Sequence, residues 1–162
     1  MLSDAWIRTY CGPAPGPDDF WFRWNFDPLL LAALSLLFFV VLRARSCHGL
    51  AAVGVLVLAF VSPLCALSSA LFSARVVHHV LLFAVAAPLL ARAWPSRRAG
   101  GAMAAFAVST VVLWGWHLPV AYDLALSHVG VYWLMQISLL GAALWFWRAV
   151  FSLGHTPVEA LT

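Results

Sequence analysis

Five apolar stretches dominate this chain, at roughly 26–42, 48–70, 75–94, 100–118 and 130–151. About 20 consecutive apolar residues cross the ~30 Å hydrocarbon core of a bilayer. Inside lipid every backbone polar group must find its partner within the protein, so such stretches become helices. The sequence therefore predicts an all-α, polytopic membrane helix bundle of about five transmembrane helices. Composition agrees: 64% of the 162 residues are hydrophobic and 9% are charged, where a soluble domain carries about 25%. Mean hydropathy is +0.95.

The net charge of +3 does not indicate nucleic acid, because there is no lysine and the nine arginines lie between apolar stretches. They read as topology signals. Arg43, Arg45, Arg92, Arg97, Arg98 and Arg148 fall on one side of an alternating bundle, and Arg8, Arg23 and Arg75 on the other. The positive-inside rule then places the N-terminus outside and the C-terminus in the cytoplasm. Residues 1–25 form a periplasmic N-terminal segment, 26–151 the bundle, and 152–162 a cytoplasmic tail or the start of a further span. The acidic, Pro/Gly-rich start MLSDAWIRTYCGPAPGPDD does not resemble a signal peptide. The chain is expected to cross its membrane several times, with the lipid bilayer as one partner.

Local signals refine the spans. Pro28 suits the first turn of a helix, and Pro63 should kink or end the second span. Gly101, Ala105 and Ser109 make a small-residue stripe that lets helices approach closely. Trp21, Trp24, Trp114, Trp116 and Trp133 fall near the outer interface and Trp94, Trp145 and Trp147 near the inner one, as aromatic belts do. Cys11, Cys47 and Cys65 are well separated, with no CxxC; they suggest neither a zinc motif nor a disulfide framework.

The chemistry-bearing residues gather at the outer end. The stretch SARVVHHVLL opens the third span with Arg75, His78 and His79; His117 ends the fourth, and His128 precedes the fifth. His48 and His155 fall on the other side. Imidazole is the commonest metal ligand and suits copper, zinc and iron. Adjacent His78 and His79 point about 100° apart on a helix, whereas Arg75 and His79 share a face. A pocket of His79, His117 and Asp123 is the sharpest expectation, with Tyr122 beside it, Asp27 at the same level and Arg75 pairing with Asp123 or snorkelling. For His78 and His128 the plainer reading is an interfacial residue or helix cap. Met135 lies one turn from the outer face and Met103 near the inner one, thin support for a copper channel. No Gly-rich phosphate loop, nucleophile elbow or HExxH is present, and no span carries a charge at mid-membrane. Catalysis and transport are not indicated.

Three stretches, WNFDPLL at 24–30, SPLCALSSALFSARVVHHVLLFAVAAPLLA at 62–91 and WHLPVAYDLALSHVGVYWLMQISLLGAALWFW at 116–147, together resemble the multi-spanning CtaG family of bacterial cytochrome c oxidase assembly proteins. The resemblance implies a non-catalytic membrane factor in the biogenesis of a haem–copper oxidase, with oxidase subunits as partners and copper as the metal to consider. The family's span-three histidine falls on His79 and its WHxP histidine on His117. Asp27, Pro28, Pro88, Trp116, Pro119, Tyr122 and Asp123 match in the same way. Many members carry histidine where Arg75 and Gln136 stand, so two candidate ligands are replaced here. Members usually have six or seven spans, which implies that the final ones are missing from this chain. His79 and His117 are thus the expected metal site, with Arg75, His78, Tyr122, Asp123, Gln136 and Asp27 as supporting residues. The alternatives are a structural accessory subunit of the mature oxidase and a haem-binding protein with His79 and His117 as axial ligands.

Overall fold

A computed structural model describes residues 10–96 and 101–153. Asp4, Arg8, Arg97, Arg98, His155 and the tail at 154–162 lie outside the described residues. The described chain is all helical: α1 (Pro28–Arg43), α2 (Cys47–Phe60), α3 (Leu64–Ala70), α4 (Phe72–Val80), a π-helical segment (Leu81–Ala86), α5 (Ala87–Ala93), α6 (Ala102–His117), α7 (Pro119–Ser127) and α8 (Val129–Leu153). A 3₁₀ turn at Phe20–Phe22 precedes them.

Each expected apolar stretch becomes helical among the described residues, and by length and composition they supply two to four candidate spans of the helical bundle. Two helices among the described residues, Phe72–Ala93 and Val129–Ser152, are long and apolar enough to cross a membrane. Two more spans arise if each bent pair is counted as one: α2 with α3, bent by 48°, and α6 with α7, bent by 73°. The first stretch forms an apolar helix of only 16 residues, about 24 Å long, short of the hydrocarbon thickness. Its start is fixed early: Asp27 Oδ1 accepts from Leu29 N–H at 2.7 Å and Leu30 N–H at 3.1 Å, ahead of Pro28. Pro63 breaks α2 as its chemistry dictates, because a proline cannot donate to the preceding turn.

The hairpin between α1 and α2 is closed tightly. Arg45 takes a left-handed φ of 50°, and Ser46 Oγ caps α2 by accepting from Gly49 N–H at 3.1 Å. A Cβ at Gly49 would lie 2.7 Å from Val41 Cγ1, so only glycine allows that approach. Helix α8 is the common wall, packing against α5, α6, α7 and the π segment. The core between α1, α2, α4–α5, α7 and α8 contains Leu30, Leu34, Leu56, Phe60, Leu82, Tyr132, Met135 and Leu139. In the small-residue stripe Ala105 and Ser109 are buried, and Ala105 packs with Ala149 of α8. Gly101 is exposed; its φ of 80° serves the turn into α6.

The cysteines correct the sequence reading. Cys11 and Cys65 form a disulfide across 54 residues, with Cα atoms 5.4 Å apart, and Cys47 remains free. Spacing could not show this, because the pairing depends on the N-terminal segment folding back over the start of α3. Two further contacts hold that segment: Asn25 N–H donates to the Val61 carbonyl at 2.9 Å, and the Tyr10 ring stacks on Tyr132 with 5.0 Å between centroids. Burial, with Asp27 close by, pushes the Tyr10 phenol up to about 12.

Two outcomes follow from this framework. Without reductant, alkylation of the denatured chain should modify Cys47 alone, and peptide mapping should join residues 11 and 65; Cys65→Ser should lower stability by about 2–4 kcal/mol. Three alkylated cysteines would contradict the bond. Hydrogen bonds from Leu30 and then Leu29, set against partial burial, hold the Asp27 carboxyl below the usual aspartate range. Its capping contribution is therefore complete above the ordinary aspartate pKa and disappears as pH falls through the lowered value. Asp27→Ala should remove about 1 kcal/mol at neutral pH and flatten that acid limb in thermal melts.

Candidate functional site

The expected cluster assembles where the disulfide lies, with one substitution of partners. Helix α4 begins at Phe72, one turn earlier than the sequence suggested, so His78 and His79 stand in its second turn rather than at its mouth. Both are buried, His78 at 1% and His79 at 9% exposure. The interfacial reading of His78 is therefore corrected: it is among the most enclosed side chains of the bundle. Its ring meets Phe60 edge-on, 5.1 Å between centroids, with Phe60 in turn stacked on Trp133 at 5.8 Å.

His79 faces the other way, toward α6. Its ring centroid is 5.3 Å from that of His117, with the planes at 72°. His117 is exposed at the last position of α6, and its Nδ1 lies 2.6 Å from the Leu113 carbonyl. A carbonyl only accepts, so Nδ1 carries the proton, and in the neutral ring Nε2 keeps its lone pair. A histidine fixed in this way presents one defined ligand atom.

Arg75 does not pair with Asp123. Its guanidinium carbon sits 3.8 Å above the centre of the Tyr122 ring, and its Nε donates to the Ser68 carbonyl at 3.4 Å. The 73° bend between α6 and α7 explains the exchange. It swings α7 so that Tyr122 faces the bundle, and the next residue, about 100° around the helix, points out. Asp123 is accordingly exposed and leaves the pocket. Asp27 is occupied as the α1 cap. Gln136 is buried in α8 at 3% exposure. His48 contacts Cys47 near the start of α2, and His128 contacts Ser127 at 2.9 Å, which matches the plain reading of His128.

Several features of the site had no signal in the sequence. The π segment directly after the histidines lets its carbonyls drift off the α-helical ladder, and such segments recur at functional sites. Trp147 Nε1 donates to the Phe83 carbonyl there at 2.8 Å. Trp116 Nε1 donates to Ser138 Oγ at 2.8 Å. These two indoles tie helices together inside the bundle, unlike the exposed Trp21, Trp24 and Trp114, which keep the character of an aromatic belt. Phe60, stacked on Trp133, lies against His78, and Tyr132 Oη lies 3.5 Å from Cys11 Sγ.

The arrangement supplies two facing imidazoles beside a guanidinium. Among the described residues no three His, Cys, Asp or Glu side chains converge to hold a metal ion. Met103 is exposed, and Met135 is buried in the core. The donor set suits an ion held by two nitrogens in passing and does not amount to a closed structural site.

The Arg75–Tyr122 stack can be tested directly. Tyr122→Phe keeps the ring face and should leave thermal stability in detergent nearly unchanged. Tyr122→Leu should lower it by about 1–2 kcal/mol, the range for a desolvated cation–π contact.

Residues 41–161 match the family model described as cytochrome c oxidase caa3 assembly factor, Caa3_CtaG. No curated protein and no solved structure matches the chain. Arg75, His78, His79, His117, Tyr122 and Gln136 all fall within the matched residues, whereas Cys11 and Asp27 precede them.

Proposed function

The chain belongs to the family of cytochrome c oxidase caa3 assembly factors, and from that premise we propose that it takes up copper for the oxidase at the outer face of the bacterial inner membrane, through His79 and His117. Its role as an oxidase assembly factor and its interaction with oxidase components come with the family. The copper cargo, the membrane and the residues are our reading.

The observation that carries it is the His79–His117 pair, 5.3 Å between ring centroids, with His117 Nδ1 engaged by the Leu113 carbonyl. Two neutral imidazoles suit Cu(I), and so small a set releases its ion readily. A factor that passes copper on needs that property more than it needs affinity. Two observations support an outer position. A disulfide forms and persists on the oxidising side of a membrane, and Cys11–Cys65 lies at the same end as the pair. The arginine distribution points the same way.

Arg75 supports a second reading, that of an accessory subunit retained in the mature oxidase. Its cation beside His79 disfavours a bound metal, and its contacts to Tyr122 and Ser68 brace α4 against α7 and α3.

Replacing His79 or His117 by alanine should lower oxidase activity in membranes several-fold while this protein's abundance stays constant, and added copper should restore part of it. Normal activity in both variants would exclude the copper reading. Oxidase subunits recovered one-to-one with the tagged chain, fully loaded with haem, would favour the accessory subunit.

A further inference from the structure

We propose that Arg92 and Arg148 form a binding site for the phosphate group of an anionic phospholipid, at the end of the bundle opposite the histidines. Arg92 stands in the last turn of α5 and Arg148 near the end of α8, two helices that pack against each other. Phe151 joins them. The Arg92 guanidinium carbon lies 5.0 Å over its ring, and Phe151 is three residues from Arg148 on α8, on the same helix face. Two guanidinium groups thus border one aromatic ring.

Among the described residues neither cation meets an acid. The acidic side chains there are Asp18, Asp19, Asp27 and Asp123, which lie before α1 or in α7, at the other end. The one ion pair among those residues is Arg23 with Asp19. An arginine that only snorkels to the surface, or offsets the dipole at its helix end, keeps its N–H groups in water. Arg148 does not: it is half-buried, and its Nε is enclosed without a hydrogen-bond partner. Guanidinium stays charged in proteins, and its planar fork matches two phosphate oxygens at once.

The rings beneath the arginines favour a lipid over free phosphate. Phe151 lies 5.6 Å from Trp147, Trp147 5.5 Å from Phe146, and Phe146 stacks on Phe83 at 6.0 Å between centroids. All four rings are half-buried, and the bond from Trp147 Nε1 to the Phe83 carbonyl fixes the strip in place. It runs from the cations toward the middle of α8, the direction that acyl chains take from a headgroup. Inorganic phosphate would engage the arginines and leave the strip bare, whereas a phospholipid covers both. Basic pockets between helices hold anionic headgroups on the cytoplasmic side, and the arginine distribution puts this end there.

Native mass spectrometry of the full chain in mild detergent tests the site, with phosphatidylglycerol, phosphatidylcholine and inorganic phosphate as probes. Phosphatidylglycerol should bind tightest and raise the melting temperature. Arg92→Gln and Arg148→Gln retain bulk, and each should weaken phosphatidylglycerol binding roughly fivefold, with thermal melts reporting folding. Arg43→Gln removes the same charge from an exposed position at the end of α1 and should leave binding unchanged. Equal binding of phosphatidylcholine, or equal weakening by Arg43→Gln, would reduce the site to a general attraction of the basic end and overturn it. Equal stabilisation by inorganic phosphate would make the ligand a free anion and overturn the lipid. Unchanged phosphatidylglycerol binding in the folded Arg92→Gln and Arg148→Gln variants, with loss of co-purifying oxidase subunits, would assign the cations to a protein contact instead. No outcome bears on copper at His79 and His117.

Discussion

A peptide group inside lipid has no water to turn to, and the rest of this bundle is arranged around that constraint. The helices break or loosen at several places, and near each one a side chain or a neighbouring strand of backbone supplies a donor. Asn25 N–H meets the Val61 carbonyl beside Pro63, and Ser62 Oγ meets that of Leu58. Arg75 reaches Ser68 at the end of α3, His117 reaches Leu113 at the end of α6, and Trp147 reaches Phe83 within the π segment. The residues that look functional are thus also the ones that keep the irregular backbone satisfied.

The bends are what bring the site together. A straight continuation of α6 would carry Tyr122 away from α4; the turn at Leu118 and Pro119 folds α7 back, and Tyr122 meets Arg75. The same turn expels Asp123. A carboxylate next to Arg75 would have formed a half-buried ion pair, whose desolvation offsets much of its attraction. An aromatic face holds the guanidinium without a second charge to desolvate.

Much of this was legible in the sequence because lipid imposes simple rules. The apolar stretches, Pro28 and Asp27 at the head of α1, the break at Pro63 and the pairing of His79 with His117 all rest on local chemistry or on alternation across the membrane. What escaped was three-dimensional. The Cys11–Cys65 bond required knowing where an irregular segment runs, and the loss of Asp123 required the size of a bend. The burial of His78 depended on α4 starting at Phe72, a shift of three residues. Trp116 and Trp147 resembled belt residues because composition cannot tell an indole at a headgroup from one bonded to a carbonyl or hydroxyl on another helix. The shortness of α1 was hidden by Phe26, apolar but outside the helix.

The bond between Cys11 and Cys65 also has a bearing on biogenesis. Cys65 follows the hairpin of α1 and α2, so its thiol meets Cys11 only once the chain after that hairpin has packed against the N-terminal segment. Oxidation therefore dates an event in the chain's own folding: a molecule in which the two sulfurs are joined has already brought α3 to its N-terminal segment. One that stalls before that step keeps its N-terminal arm untethered, with Tyr10 held away from Tyr132 and Trp133.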